Sequence, residues 1–452
     1  MKFGGGCLSS ASDFLRLVDI VKEEKKGCAL VVSAINGITN ELIKGIALAI
    51  DNEESIEGII LRIREKHYRI INEILTKASL SEVVKNTIDC KIKKLERLLY
   101  GVAYTEEVAE PVRTSILSFG ERLAAILVAG VLENFDLSAQ AFEADNLGII
   151  TDNCFENATA KIAVVRENFR ETLTPKIADG IIPVITGYFG CTENNKITTF
   201  GRNGTDYSAT IVACGLDADQ IILWKNVDGF MSADPRMVKE ASKIERLSYY
   251  EAAELAYFGA KILHPRALEP LLNSKTNLTI RNFSNPRNTG TTILSKFEKN
   301  CSSIKSVTYN NDISVLRIHG PGVGFKPGII GDIGNLLSKV GVNIYSIITS
   351  QTCINLLINP RDLQKSYKII TELVGDIIQN ITLEKDISLI AIVGEGLLRT
   401  TGLAAKVFTA VAQRGINIEM ISAGASEIAY YFIVKEKRVK ETVQAIHHCL
   451  FQ

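Results

Sequence analysis

"IIPVITGYF", residues Ile181 to Phe189, is a run of apolar and β-branched residues broken at Gly187. A strand with one wet face alternates apolar and polar residues, whereas a strand buried on both faces does not. "CALVVSAI" (Cys28 to Ile35) and "QIILWKNV" (Gln220 to Val227) read the same way, with longer amphipathic stretches between such runs. Continuous apolar strands followed by helices predict an α/β fold: a three-layer αβα domain on a mostly parallel sheet. Ligands of such sheets bind beyond the carboxyl ends of the strands, where the loops gather.

The chain has 452 residues, enough for two or three domains. Lys plus Arg and Asp plus Glu both total 51, so no net field draws the chain to nucleic acid or an anionic membrane. The longest apolar runs, such as "LAAILVAGVL" (Leu123 to Leu132), fall short of the roughly 20 residues that span a bilayer. No basic segment followed by an apolar one opens the chain, so a cytoplasmic protein with no membrane segment is expected. The nine cysteines form no C-x-x-C pair. Neither disulfides nor a zinc site is expected, and reduced, buried thiols are.

Residues 51 to 105 differ in texture. "IILRIREKHYRIINEILTKA", from Ile59, is charged, helical in period and free of glycine and proline. It predicts a helical insertion that packs over the sheet and serves only as core. The C-terminal third is internally repeated. "GPGVGFKPGI" from Gly320 and "GVNIYSIITS" from Gly341 recur, at one common offset, as "GEGLLRTTGL" from Gly394 and "GINIEMISAG" from Gly415. Each copy reads as a ferredoxin-like βαββαβ unit of about 70 residues, a size suited to sensing a small ligand. The expected division is 1–300 for the α/β domain, 301–385 for the first repeat and 386–452 for the second, with strands open to exchange between the repeats.

Three motifs carry chemistry. "KFGGGCLSS" (Lys2 to Ser10) follows a lysine with three glycines, which permit φ > 0 and close approach of an anion to bare backbone. "SILSFGERLAAIL" (Ser115 to Leu127) puts Glu121 directly after Gly120, read as the first turn of a helix. A carboxylate is favoured there and can take a substrate ammonium; an ordinary helix-start glutamate is the plain alternative. "TTFGRNGTDYSATIVA" (Thr198 to Ala213) concentrates Gly201, Arg202, Gly204, Thr205 and Asp206 ahead of an apolar helix. Arginine grips a carboxylate through two hydrogen bonds, and a helix N-terminus receives negative charge.

Together with "VVSAINGITN" (Val31 to Asn40), "PVITGYFG", "NVDGFMSADPR" and "YFGAKILHP", these motifs stand in the order of the amino acid kinase family, which the chain resembles over nearly its whole length. With the tandem repeat read as ACT domains, the chain is similar to the family's monofunctional aspartate kinase branch. The resemblance implies phosphorylation of the β-carboxylate of L-aspartate by ATP with Mg²⁺, the first step toward lysine, threonine and methionine. It implies that Lys2 contacts phosphate, that Gly4 and Gly5 cradle it, and that Asp206 organises the catalytic lysine and the metal-bound phosphate. Ser33, Thr39 and Thr205 lie at the aspartate site, with Glu121 on the α-ammonium and Arg202 on the α-carboxylate. Lys225, Asn226, Met231, Arg236 and Lys261 line ATP, and the metal is held through the phosphates and not by a protein cluster.

The chain departs from the family pattern at several places. Gly6 and Cys7 stand where hydroxyl residues are usual, Lys225 and Asn226 where Thr-Asp is common, Met231 where Tyr is common, and Asn203 and Thr205 where the glycine loop has Gly and Ser. His264 receives no role. The resemblance also implies feedback inhibition through the ACT pair, by lysine in preference to threonine. The effector loop comprises Gly324, Phe325, Ile344, Tyr345, Thr349, Ser350 and Gln351, and the assembly is a homodimer or a dimer of dimers. The competing readings are a catalytically weak amino-acid sensor and a kinase of another small amino acid.

Overall fold

Eight strands form one sheet in the first of two units, which holds residues 1–230, 245–249 and 262–294. The computed structural model describes residues 1–24, 27–201, 203–260, 262–272, 274–294, 304–375, 377–397, 400–424 and 426–452. In chain order the first unit contains β1 (Lys2–Phe3), α1 (Ala11–Glu23), β2 (Leu30–Val32), α2 (Ile38–Asp51), α3 (Ser55–Ile74), α4 (Ala78–Thr105), α5 (Glu110–Asn134) and β3 (Ala139–Phe142). Then come α6 (Ile162–Thr172), α7 (Thr174–Ala178), β4 (Ile182–Thr186), β5 (Phe189–Cys191), β6 (Ile197–Thr199), α8 (Gly204–Gly215), β7 (Gln220–Lys225), β8 (Arg246–Ser248), β9 (Asn277–Asn282) and β10 (Thr291–Leu294).

The sheet runs β3-β4-β2-β1-β7-β9-β10-β8 and is parallel except where β10 meets β9. Every residue of β2 and β4 is buried, as their unbroken apolar sequences require. The chain leaves β1 toward β2 on one side and later returns to its other side as β7. That reversal opens a crevice at the carboxyl ends of β1, β2 and β7, the usual ligand position in such sheets.

The insertion at 51–105 is helical, as expected, but it rests mainly on α2 and α5. Those helices already cover that side of the sheet, so α3 and α4 form a further layer. Gly130 permits the approach of α4 to α5, because a Cβ there would stand 2.5 Å from Val84 Cγ2. By length and composition the 25-residue α5 is apolar enough to cross a membrane, but 89% of its most apolar window is buried inside the protein. It is a core helix. The cysteine expectation also changes, since Cys90, Cys154 and Cys449 are exposed; all eight described cysteines are unpaired.

The second unit contains α9 (Tyr249–Tyr257) from its second residue onward and two four-stranded antiparallel sheets. The strands are β11 (Ser306–Asn310), β12 (Ser314–His319), β13 (Ile344–Thr349), β14 (Cys353–Ile358), β15 (Asn380–Glu384), β16 (Ile387–Val393), β17 (Met420–Ser422) and β18 (Ala429–Lys435). The helices are α10 (Ile329–Lys339), α11 (Leu363–Ile370), α12 (Leu403–Ala412) and α13 (Val439–Phe451). One sheet runs β13-β14-β12-β15 and is built wholly from the first repeat. The other runs β11-β16-β18-β17, so a strand from the opening of 301–385, the span expected for the first repeat, completes the second. Each sheet packs its helices around its own apolar cluster.

Candidate active site

Lys2 lies on the central strand, in register with Val31 of β2 and Leu223 of β7. Two neighbours hold its strand, so the ammonium is fixed just before the glycine turn. Gly5–Cys7 closes as a 3₁₀ turn, and none of Gly4, Gly5 and Gly6 uses positive φ. Close approach, not left-handed backbone, is why glycine stands here. A Cβ on Gly4 would lie 2.9 Å from Lys2 Nζ, and one on Gly5 would lie 3.0 Å from the Ala34 carbonyl oxygen. Burial pushes the Cys7 thiol up to about 11 against the opposing charge of Lys2, so it is a protonated packing group and not a nucleophile.

Asn203, in the left-handed region at φ 60, turns the chain into α8 and brings Asp206 into the helix's first turn. Asp206 is 2% exposed. Lys225 Nζ donates to its Oδ2 at 2.6 Å, while Lys2 Nζ stands 2.8 Å from Oδ1 as an ion pair off the line of a hydrogen bond. Burial works against the charged carboxylate, but the two lysines outweigh it and hold Asp206 at about 2. Burial in turn lowers Lys225, partly offset by Asp206. The sequence put Lys225 among groups lining the nucleotide; its ammonium lies on Asp206 beside Lys2.

A second polar chain starts from the same helix turn. The Thr205 hydroxyl donates to Ser33 Oγ at 3.3 Å, and Ser33 Oγ lies 3.5 Å from Glu121 Oε1. Glu121 Oε1 accepts the Ala34 N–H at 3.0 Å, and Oε2 is buried without a partner. The expected place of Glu121 at a helix start is overturned, because it lies in the middle of α5, where no unpaired N–H or dipole end supports a carboxylate. Burial dominates instead and raises its carboxyl to about 8, with the Ala34 N–H pulling the other way. Gly120 makes the reach possible, since a Cβ there would stand 2.7 Å from that of Ala34.

Thr39 is half-buried in the first turn of α2, and Asn226 Nδ2 donates to the Gly6 carbonyl at 3.4 Å. Arg202 and Lys261 lie outside the described residues. Met231 and Arg236 belong to the second unit, where Arg236 is exposed and paired with Asp234 at 2.7 Å. His264 Nδ1 accepts the Arg266 N–H at 3.3 Å, which suits a helix cap. Of the effector set, Gly324 N–H donates to Gln351 O at 3.3 Å, and a Cβ on Gly324 would overlap Ser350 O. Phe325 is 84% exposed. Thr349 ends β13 near this pair, whereas Ile344 and Tyr345 begin the strand, roughly 13 to 17 Å away at about 3.3 Å per residue.

No sequence pattern singles out Lys66. It comes from α3, in the insertion read as core alone, and donates to the Asn36 carbonyl. Asn36 N–H in turn donates to Leu8 O at 3.2 Å, so one loop joins the insertion, the glycine turn and Ser33.

Among the described residues no three His, Cys, Asp or Glu side chains gather as a metal cage. Both oxygens of Asp206 lie within ion-pair distance of an ammonium group, so a hard divalent ion at this site would be held chiefly by the phosphates and water that come with it.

The amino acid kinase family profile matches residues 1–282, and an ACT domain profile matches residues 390–450. The chain is 30% identical over 466 residues to the bifunctional aspartokinase/homoserine dehydrogenase of Buchnera aphidicola, covering 100% of this chain and 56% of that one. It is 27% identical over 462 residues to the lysine-sensitive aspartokinase 3 of Escherichia coli, covering 100% and 98%. The crystal structure of E. coli aspartokinase III with aspartate and ADP matches with a TM-score of 0.85 at 26% identity, covering 100% and 99%.

Proposed function

Because the chain belongs to the amino acid kinase family, we propose that it is an aspartate kinase, transferring the terminal phosphoryl group of ATP to the β-carboxylate of L-aspartate. The product is 4-phospho-L-aspartate, a precursor on the route to lysine, threonine and methionine. One observation carries the reading: the Lys2–Asp206–Lys225 cluster stands beside the Thr205–Ser33–Glu121 chain at the carboxyl ends of the parallel strands. A cationic phosphate site next to a buried carboxylate suits a phosphoryl donor and an amino acid acceptor. The relatives that match the whole chain carry the same activity in their names.

A carboxylate is already a nucleophile, so no general base is required. An oxygen of the aspartate β-carboxylate attacks the γ-phosphorus, the bond to the bridging oxygen breaks, and the electron pair leaves on ADP without a proton moving. The chain's work is positioning and charge. Lys2 and the Gly4–Gly5 backbone hold phosphate, and Asp206 holds Lys2 in place. Glu121 takes the α-ammonium, Arg202 the α-carboxylate, and Ser33, Thr39 and Thr205 complete the acceptor site. Asn226 serves the nucleotide. Mg²⁺, when bound, would come with the ATP phosphates and supply charge neutralisation there, while Asp206 keeps Lys2 and Lys225 ordered beside them.

Residues 301–452 form the regulatory part, with 301–385 as the first ACT repeat and 386–452 as the second, completed by β11. Lysine is the proposed effector, supported by the lysine-sensitive relative, and two ACT regions pair in a cytoplasmic homodimer or dimer of dimers. The test is ATP-dependent formation of aspartyl hydroxamate in the presence of hydroxylamine, with glutamate as control and with lysine or threonine added. Turnover on aspartate alone, suppressed by lysine, supports the whole reading. A folded, nucleotide-binding protein without turnover turns it into an amino-acid sensor, which the hydroxyl-free Gly6 and Cys7 favour.

A further inference from the structure

We propose that Lys225 is a second cation of the phosphoryl-transfer site and contacts the transferring phosphate, not the adenosine. The proposal rests on the kinase reading above and adds to it a charge at the reacting group.

Pairing of β1 with β7 aligns Phe3 with Trp224, so the residue after Trp224 emerges beside the turn that follows Phe3. Lys225 therefore reaches the same carboxylate as Lys2: its Nζ lies 2.6 Å from Asp206 Oδ2, and Lys2 Nζ lies 2.8 Å from Oδ1. The side chains of Lys2, Lys225 and Asp206 are 9%, 19% and 3% exposed. Two ammonium groups thus share one buried carboxylate. Among the described residues, neither lysine has another carboxylate within ion-pair distance.

One lysine with Asp206 would be a neutral unit. The second leaves an excess positive charge in a largely dry position, which is unfavourable until an anion arrives. Nearby groups do not supply that anion. The Cys7 thiol is protonated, and Asp13 is engaged by Ser9, Ser10 and Arg16 at the start of α1. The excess charge sits where the glycine turn exposes bare backbone and where α8 begins, so the free anion best matched to it is a phosphate held by all three. Asn226 fits this direction, because its amide is spent on the Gly6 carbonyl beneath the turn.

A cation on the γ-phosphate strengthens binding of ATP more than of ADP; a cation on the adenosine affects both equally. The experiment is calorimetric titration of the full-length wild type, Lys225→Met and Lys225→Arg with the imido analogue of ATP and with ADP, in Mg²⁺. Lys225→Met leaves the neutral Lys2–Asp206 pair, so it retains a cooperative melt. Lys225→Arg keeps the charge and gives a second reading if the first variant is unstable. The expected result is a loss of about tenfold or more for the ATP analogue with Lys225→Met, a markedly smaller loss for ADP, and recovery with Lys225→Arg. Equal losses for both nucleotides, or none for either, overturn the proposal. If the wild type binds the analogue and forms no aspartyl hydroxamate, the kinase reading fails while the titrations still decide the role of Lys225. A wild type that binds neither nucleotide overturns both.

Discussion

Glu121 Oε1 accepts the backbone N–H of Ala34 at 3.0 Å from the middle of a 25-residue helix, and its other oxygen is buried and unpartnered. One amide N–H and a long contact from the Ser33 hydroxyl are a small return for burying a carboxylate, so the group is held near the protonated state until a cation meets it.

That position makes stability depend on pH. The folded value of about 8 stands above the ordinary 4.5. As pH rises past 4.5, the unfolded chain releases this proton while the folded chain keeps it, so the contribution of Glu121 is full below 4.5 and declines up to about 8. Glu121→Gln is expected to remove that decline. Urea unfolding of both proteins at pH 5.5 and pH 8 should show the gap between the two pH values narrowing in the variant. An unchanged gap would mean that Glu121 is ionised in the folded protein.

The same carboxyl couples aspartate binding to proton release. If Glu121 receives the α-ammonium, it must ionise on binding, so the KM for aspartate should fall as pH rises toward 8, by up to about tenfold per unit. Titration calorimetry in buffers of different ionisation enthalpy reads the released proton directly. A pH-independent KM with no proton release moves the ammonium site away from Glu121.

The α/β architecture was legible because burial on both faces leaves a mark that a sequence cannot hide: β2 and β4 have no polar alternation and are buried throughout. The repeat was legible because two copies of one unit keep one spacing. Glu121 was misread as a helix start because Gly120 looked like a boundary. In the fold that glycine is a contact, needed where α5 meets Ala34. Lys225 and Lys66 act through neighbours brought from 19 and 30 residues away, and no local pattern reports such a pairing. Exchange of strands between the repeats was left open, but that β11 is the strand which completes the second is a matter of topology, since β11 reads as an ordinary strand wherever it pairs.

Removing Lys2 and removing Asp206 should have different consequences. With Lys2→Met, Asp206 remains paired to Lys225, so the melt is preserved while kcat falls by about 10²- to 10³-fold, as for loss of one preorganised transition-state contact. With Asp206→Asn, two adjacent buried ammonium groups lose their counter-charge, at about 3–5 kcal/mol. The stabilisation from Asp206 is present above the ordinary 3.8 and lost as pH falls toward about 2, so the wild type should approach the variant's stability only in strong acid. Equal melts for the two variants would contradict the shared-carboxylate arrangement.

Gly5→Ala tests the close packing of the turn. Its Cβ would stand 3.0 Å from the Ala34 carbonyl, a backbone atom that moves only with its loop. Ser33 and the Ala34 N–H belong to that loop, so the substitution should raise the aspartate KM severalfold as well as weaken ATP. An effect on ATP alone would show that the turn and the acceptor loop move independently.

Lys66 offers the last test, because it tells whether the helical insertion does more than pack. Its ammonium donates to the Asn36 carbonyl, Asn36 N–H donates to Leu8 O at 3.2 Å, and Arg62 on the same helix donates to Glu41 Oε2 at 3.0 Å in α2. The insertion therefore grips the loop that carries Ser33 and Ala34 at one end and the helix after it at the other. Lys66 is half-buried on the surface of α3, so Lys66→Met should leave the melt within about 0.5 kcal/mol of the wild type. The freed loop should nonetheless raise the aspartate KM by roughly three- to tenfold with a smaller change in kcat, since misplacing a positioning group loosens binding geometry first. Lys66→Arg, which keeps a donor within reach of the carbonyl, should restore most of the loss. A normal KM in Lys66→Met would leave the insertion with a packing role alone.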